Sequence, residues 1–289
     1  LFAESDKGAI IGKDVVPSTY RVTGSASFIN NIFYNVKYRT PNTNANHDDN
    51  NSFDVINNLT WNAQGRFIRA AGDLNLNHIN NAIYQRTYSL NDVNLNLYED
   101  NNWDPNIYTN GNLLDVTSIG GNLTNTIAEM NADNTLSWKF FVGSNYGVQL
   151  PSNYFTDTPF PIRGVAPTIL DASVLRTTLP NQVGCNARLH ADGSVSNNLD
   201  VHDASYLNNI LNDIMVAPIN EGNYAVSPIT VLSREADYYL TNAHIPELWL
   251  QANVNNPSAT SHIELAPRGY TWIEEIINQV EYNVLGEVL

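Results

Sequence analysis

The chain has 289 residues, with 14 basic against 29 acidic side chains, a formal net charge of −15 and 43% hydrophobic residues. That length and apolar content allow one large domain, or one domain with an appendage. The charge excludes nucleic acid as a partner, because phosphate binding needs a basic footprint. It also disfavours anionic membrane surfaces, and no apolar run approaches the ~20 residues of a membrane span.

The chain opens on Leu1-Phe2-Ala3-Glu4, which carries no signal peptide and is not a normal translation start. Either an upstream segment was removed, or a longer protein continues before it. Gly8 to Gly12 reads as a short strand, followed by a turn at Pro17 and a second strand at Tyr20-Arg21-Val22-Thr23. One phrase then appears three times: Ile29-Asn30-Asn31-Ile32-Phe33-Tyr34, Ile56-Asn57-Asn58-Leu59-Thr60-Trp61 and Ile79-Asn80-Asn81-Ala82-Ile83-Tyr84. Each copy is an aliphatic residue, an Asn pair, two further residues and an aromatic. Repetition at such intervals signals stacked structural repeats. Between copies, Phe53-Asp54-Val55-Ile56 and Leu74-Asn75-Leu76-Asn77 suit strands better than helices. These features predict coils of a parallel β-helix, in which equivalent residues stack about 4.8 Å apart and the Asn pairs form a ladder at a bend. An Asn-rich β-sandwich is the alternative.

The repeated coils are expected over 1–103, with Asn101-Asn102-Trp103 as a fading fourth copy. Residues 104–165 read as an irregular β and loop segment packed on the coils, with one strand at Ser137 to Val142 and punctuation at Pro151, Pro159 and Pro161. Residues 166–289 read as a mainly helical tail. Within it, Thr168–Leu179 and Asp203–Ile214 carry aliphatic residues at helical spacing, with Asp200 or Asp203 as a cap. Ile245-Pro246-Glu247-Leu248-Trp249 places Pro early in a first turn, where it is tolerated. Tyr270–Tyr282 carries Trp272, Ile273, Ile276, Ile277 and Val280 on one side.

Single residues add less. Cys185 is the only cysteine, which excludes an intrachain disulfide and a thiolate metal cage and leaves a buried free thiol as its expected state. His47-Asp48-Asp49 has oxygen ligands suited to calcium, yet lies in a polar stretch that reads as a solvated loop. Sequons at Asn50, Asn58 and Asn122 read as accidents of an Asn-rich chain. There is no H-x-x-x-H pair, phosphate loop or serine-nucleophile elbow.

In their order along the chain, these segments resemble the pectate lyases, whose fold is a right-handed parallel β-helix. Lys7-Gly8-Ala9-Ile10-Ile11-Gly12 is similar to the family's lysine followed by "SLIG" or "MLIG". Phe28-Ile29-Asn30-Asn31-Ile32-Phe33 is similar to "FHHNLF", and Val36 to Pro41 to the arginine–x–proline signature. Phe53–Trp61 and Gly72–Tyr84 resemble the coils that follow, with "VNNxxYN". In the tail, His244–Trp249 resembles "GMPDEW" and Gly269–Glu275 resembles "GYTNLEEY".

The resemblance implies a secreted, extracellular enzyme that cleaves an acidic polysaccharide by calcium-assisted β-elimination. It implies Arg39 as the catalytic base and Lys7 as a residue holding a substrate carboxylate; Arg66 and Arg69, on the neighbouring coil, are further candidates for contact with substrate, apart from the resemblance. Three departures stand against that pattern. The family's second arginine, five residues after the first, falls on Asn44. The calcium-binding carboxylates belong upstream of the Lys7 match, so the metal ligands are unknown. The tail phrase has Thr241, Asn242 and Ala243 where the family has calcium-binding aspartates, so no tail calcium is expected. The alternative function is a noncatalytic extracellular β-helix that binds carbohydrate. An open coil edge recruits another chain, so association with an N-terminal fragment or head-to-tail self-assembly is a further expectation.

Overall fold

The computed structural model describes residues 1–12, 25–45, 51–87, 90–91, 95–100, 103–117, 119–120, 125–162, 166–183, 187–219 and 235–285. The expectations for Pro17, Tyr20–Thr23, His47–Asp49, Asn101–Asn102 and Cys185 lie outside the described residues. Two compact units are present: Leu1–Val183 with Ser205–Glu221, and Gly184–Ala204 with Gly222–Leu289.

The first unit is built on three parallel sheets. One holds β1 (Phe2–Ala3), β4 (Ile32–Tyr34), β7 (Leu59–Trp61), β10 (Ala82–Gln85) and β14 (Leu113–Val116) in that spatial order. A second holds β2 (Ile10–Gly12), β5 (Asn42–Asn44), β8 (Ile68–Ala71), β12 (Asn96–Tyr98) and β16 (Trp138–Phe140). The third holds β3 (Ala26–Ile29), β6 (Asn51–Ile56), β9 (Leu74–Ile79) and β13 (Asn106–Asn110). From β1 to β10 the chain visits the three sheets in a fixed rotation. A short parallel pair, β11 (Leu90–Asn91) with β15 (Ile119–Gly120), is added later.

Asparagine sets both the bends and the register. Asn30, Asn57 and Asn80 have φ of 57°, 55° and 50°, a left-handed conformation that Asn tolerates because its short side chain bonds locally. The second Asn of each pair forms an internal ladder. The Nδ2 of Asn31 donates to Asn58 Oδ1 at 3.0 Å, Asn58 to Asn81 at 3.0 Å, Asn81 to Asn112 at 2.9 Å and Asn112 to Asn134 at 3.1 Å. Each rung's Oδ1 also accepts the backbone N–H of the Asn before it. The aromatic of the phrase is stacked in register, with Tyr34 opposite Trp61 and Trp61 opposite Tyr84.

The ladder continues past residue 103. The fourth rung is Asn110-Gly111-Asn112-Leu113, whose strand β14 pairs with β10 from Ala82↔Leu113 to Gln85↔Val116. Gly111 replaces the first Asn of the pair at φ 68°. A Cβ there would stand 1.9 Å from Asn80 Oδ1, so any other residue would require the Asn80 side chain to shift. The expected strand near Ser137–Val142 is β16, and it joins the second sheet beside β12.

Among the described residues, two hydrophobic clusters are part of the interior of this unit. Phe53, Val55, Ile68, Leu74, Leu76, Tyr98, Ile107 and Trp138 form the larger. Phe67, Ile83, Leu95, Leu114, Val116 and Met130 form the smaller. Met130 lies on α1 (Ile127–Ala132), which starts at a Thr126–Glu129 capping box. Phe160 and residues 168–170 are held by asparagines of the repeats. Asn77 holds Phe160, Asn57 holds Thr168 and Leu170, and Asn80 also holds Leu170.

The helix expected at Thr168–Leu179 begins later, at Ala172. Asp171 caps a 3-10 turn that leads into α2 (Leu175–Thr178). For α3 (Val201–Leu211), Asp200 is the cap, since its Oδ1 accepts from the N–H of His202 and Asp203. In the second unit, β17 (Ala187–Leu189) pairs antiparallel with β18 (Val195–Asn197). There α4 (Glu247–Asn253) and α5 (Trp272–Leu285) bury Trp249, Leu250 and Ile276 with Ile245 and Val254.

Candidate functional site

Arg39 sits between β4 and β5 with φ 65°. Its N–H donates to the Arg66 carbonyl at 3.0 Å, and its own carbonyl accepts from the Ala9 N–H at 2.9 Å. Lys7 pairs with Tyr38 in an isolated parallel bridge. Lys7-Gly8, Tyr38-Arg39 and Arg66 therefore lie on successive rungs, separated by about the inter-strand spacing of 4.8 Å. The close approach explains Gly8, where a Cβ would stand 2.4 Å from the Arg39 carbonyl oxygen. Arg69 lies on β8, half-buried between the buried Ile68 and Ala70.

Aromatic rings bind these rungs together. The Arg66 guanidinium carbon is 5.4 Å from the Tyr38 ring centroid and 5.5 Å from that of Phe141. Arg69 is 5.2 Å from the same Phe141 ring, and Lys37 Nζ is 5.2 Å from the Tyr38 ring. Such contacts hold a cation over the negative face of a ring. Lys7, Lys37, Arg39, Arg66 and Arg69 thus gather five of the chain's 14 basic residues in one region of a strongly acidic protein.

Their counterions are unevenly shared. Lys7 and Lys37 both reach Asp6 at 3.6 Å. Arg69 forms an ion pair with Glu99. Among the described residues, no carboxylate lies within 4.0 Å of Arg39 or Arg66. Their Nε atoms are buried and lack a hydrogen-bond partner there. Burial, and next the Arg39 charge, push the Arg66 guanidinium below its ordinary pKa, while Tyr38 acts in the opposite sense.

Of the residues singled out from sequence, Arg66 and Arg69 share the Phe141 ring, and Arg39 lies on the rung beside Arg66, to whose carbonyl its N–H donates. Lys7 lies one rung away, with its ammonium turned to Asp6. Asn44 is a buried residue of β5, paired with Ala71. Tyr38, Phe141, Lys37 and Glu99 were missed. Tyr38 adjoins Arg39 in sequence, but Phe141 arrives only because Lys139 pairs with Leu97, and the pairing of β12 with β8 places Leu97 beside Arg69.

Calcium asks for six to eight oxygen ligands. Among the described residues no three His, Cys, Asp or Glu side chains are arranged to hold a metal. The carboxylates nearest the cluster, Asp6 and Glu99, are engaged by lysines and Arg69. Among them, too, no helix is long and apolar enough to cross a membrane. Compared with protein-family models and with curated proteins, the chain matches none.

Proposed function

We propose that the three parallel sheets are the walls of a right-handed parallel β-helix, and that the protein is a secreted lyase of acidic polysaccharides. The observation that carries this reading is the Arg39–Arg66 pair, two adjacent guanidiniums with no carboxylate within 4.0 Å among the described residues. A polyanion is otherwise repelled by a chain of net charge −15, so a local cationic face is where a uronate polymer docks.

In the reaction, Arg39 removes the proton at C5 of a uronate. The electron pair forms the C4–C5 double bond, the C4–O bond to the neighbouring sugar breaks, and that oxygen leaves as a hydroxyl after taking a proton. Negative charge develops on the uronate carboxylate during proton loss. Arg66 would supply fixed positive charge to stabilise it, with Arg69 and Lys7, paired to Glu99 and Asp6, adding to the field from further out. A guanidinium is a poor proton acceptor in water because it stays charged. Proton removal by Arg39 therefore requires its neutral guanidine form, which alkaline conditions favour.

A second reading keeps the same face but not the reaction. It is favoured by the engagement of Asp6 and Glu99 with lysines and Arg69, and makes the protein a noncatalytic binder of acidic carbohydrate. The test is ultraviolet absorbance of the unsaturated product, with polygalacturonate and other uronate polymers, with calcium or with a chelator. A rise that disappears in Arg39→Ala supports the lyase. No rise from folded protein on any polymer leaves the binding reading.

A further inference from the structure

Phe141 lies in the strand expected at Ser137 to Val142, and among the described residues its ring touches two of the arginines. It lies just beyond β16, and its N–H donates to the Tyr98 carbonyl at 2.6 Å. The loop that follows is tied back. Asn145 Nδ2 donates to Asp100 Oδ2 at 3.1 Å, and the Tyr146 ring lies 6.2 Å from that of Phe141. The ring is therefore held at both ends of its loop.

Arg66 and Arg69 lie at 5.5 and 5.2 Å from that ring, but their surroundings differ. Arg69 is committed to Glu99, whose carboxylate also repels any second anion. Arg66 has Tyr38 on one side, Phe141 on another, Arg39 one rung away and a buried Nε with no hydrogen-bond partner. A guanidinium clamped by two rings keeps its planar fork in a fixed direction, which favours bidentate contact with a planar carboxylate. An anion bound there would also relieve the repulsion between Arg39 and Arg66.

We propose that Arg66, held by Tyr38 and Phe141, is the anchor for a free sugar carboxylate beside Arg39, and that Phe141 is the positioning residue which fixes its direction. This rests on the acidic-polysaccharide reading above and adds the residue that grips the carboxylate. Arg69, paired with Glu99, marks the edge of the anchor and is not part of it.

The test is calorimetric titration of the full chain with a saturated uronate trisaccharide, with a chelator present, and with its methyl ester as the neutral comparison. The acid is expected to bind at least about ten-fold more tightly than the ester. Arg66→Lys should lose about ten-fold in affinity, because an ammonium cannot supply the fork. Phe141→Leu should lose about three- to five-fold, the size of an exposed cation–π contact, and Phe141→Tyr should restore binding. Urea midpoints check that each variant is folded, and Arg66→Lys decides the matter if Phe141→Leu is not.

Equal binding of acid and ester, unchanged affinity in Arg66→Lys, or no binding of any uronate by the wild type would each overturn the proposal. Unsaturated product with affinity unchanged in Arg66→Lys would defeat this anchor and leave the lyase standing. Affinity lost in Arg66→Lys, with no product from the wild type on any polymer, would defeat the lyase and leave the anchor.

Discussion

Asn58→Ala removes one rung from the internal ladder, and its cost follows from the bonds. Asn58 Oδ1 accepts from the backbone N–H and the Nδ2 of Asn31, each at 3.0 Å. Its Nδ2 donates to Asn81 Oδ1 at 3.0 Å and to the Phe28 carbonyl at 2.8 Å. Asn58 is 2% exposed, so water cannot replace these partners. Alanine leaves the Asn31 N–H without its acceptor, at roughly 1–3 kcal/mol, and deletes further bonds worth about 0.5–1.5 kcal/mol each. The sum is roughly 3–5 kcal/mol, a large part of a typical domain's stability of about 5–15 kcal/mol. Asn58→Asp tests the reasoning more sharply. It preserves shape and acceptor, but turns a carboxylate oxygen toward Asn81 Oδ1 and the Phe28 carbonyl, so it should cost at least as much as alanine. Asn30→Gly, at an exposed left-handed position, should cost less than about 1 kcal/mol. Urea unfolding measures all three. A cost below about 1 kcal/mol for Asn58→Ala would refute the ladder as a stabilising device.

His78 gives a pH prediction. It is buried, with Trp138 edge-on at 5.6 Å, and burial pushes its pKa down to about 3. Its unfolded value is about 6.5, so the unfolded chain binds the extra proton between those limits. Stability from this group is thus complete above about pH 6.5 and is lost as pH falls toward 3, by about 1.4 kcal/mol per unit. His78→Gln should flatten that part of the acid-unfolding profile, and an unchanged slope would contradict it. Gly72 has φ 103°, and a Cβ there would lie 1.9 Å from the Ala45 carbonyl oxygen. Gly72→Ala should therefore cost more than about 2 kcal/mol in urea unfolding. A neutral result would mean the backbone moves freely at that bend.

The ladder was readable from sequence because one residue type does two jobs at one bend. Asn30, Asn57 and Asn80 take the left-handed turn, while Asn31, Asn58 and Asn81 carry the internal ladder. The fourth rung escaped notice because Gly111 performs the turn without an amide and Asp115 stands opposite Tyr84, where an aromatic was sought. The last rung, Asn134, comes from a 3-10 helix with no repeat around it. At the candidate site, Lys7 and Arg39 were found by resemblance, and Arg66 and Arg69 by their position one repeat on. Phe141 could not be found, because its place beside Arg66 depends on strand pairings between Arg69, Leu97 and Lys139. Local patterns do not encode long-range register, and partners brought by it are invisible to them.

The central claim, cleavage of a uronate polymer by elimination, is tested most directly by weighing the products. Wild-type protein would be incubated with polygalacturonate, and the released oligosaccharides analysed by mass spectrometry beside those from Arg39→Ala. The account predicts wild-type fragments with an unsaturated end, lighter by one water than hydrolysis products, and none from the variant. Saturated fragments, the same unsaturated fragments from Arg39→Ala, or no fragments from folded wild-type protein would contradict it.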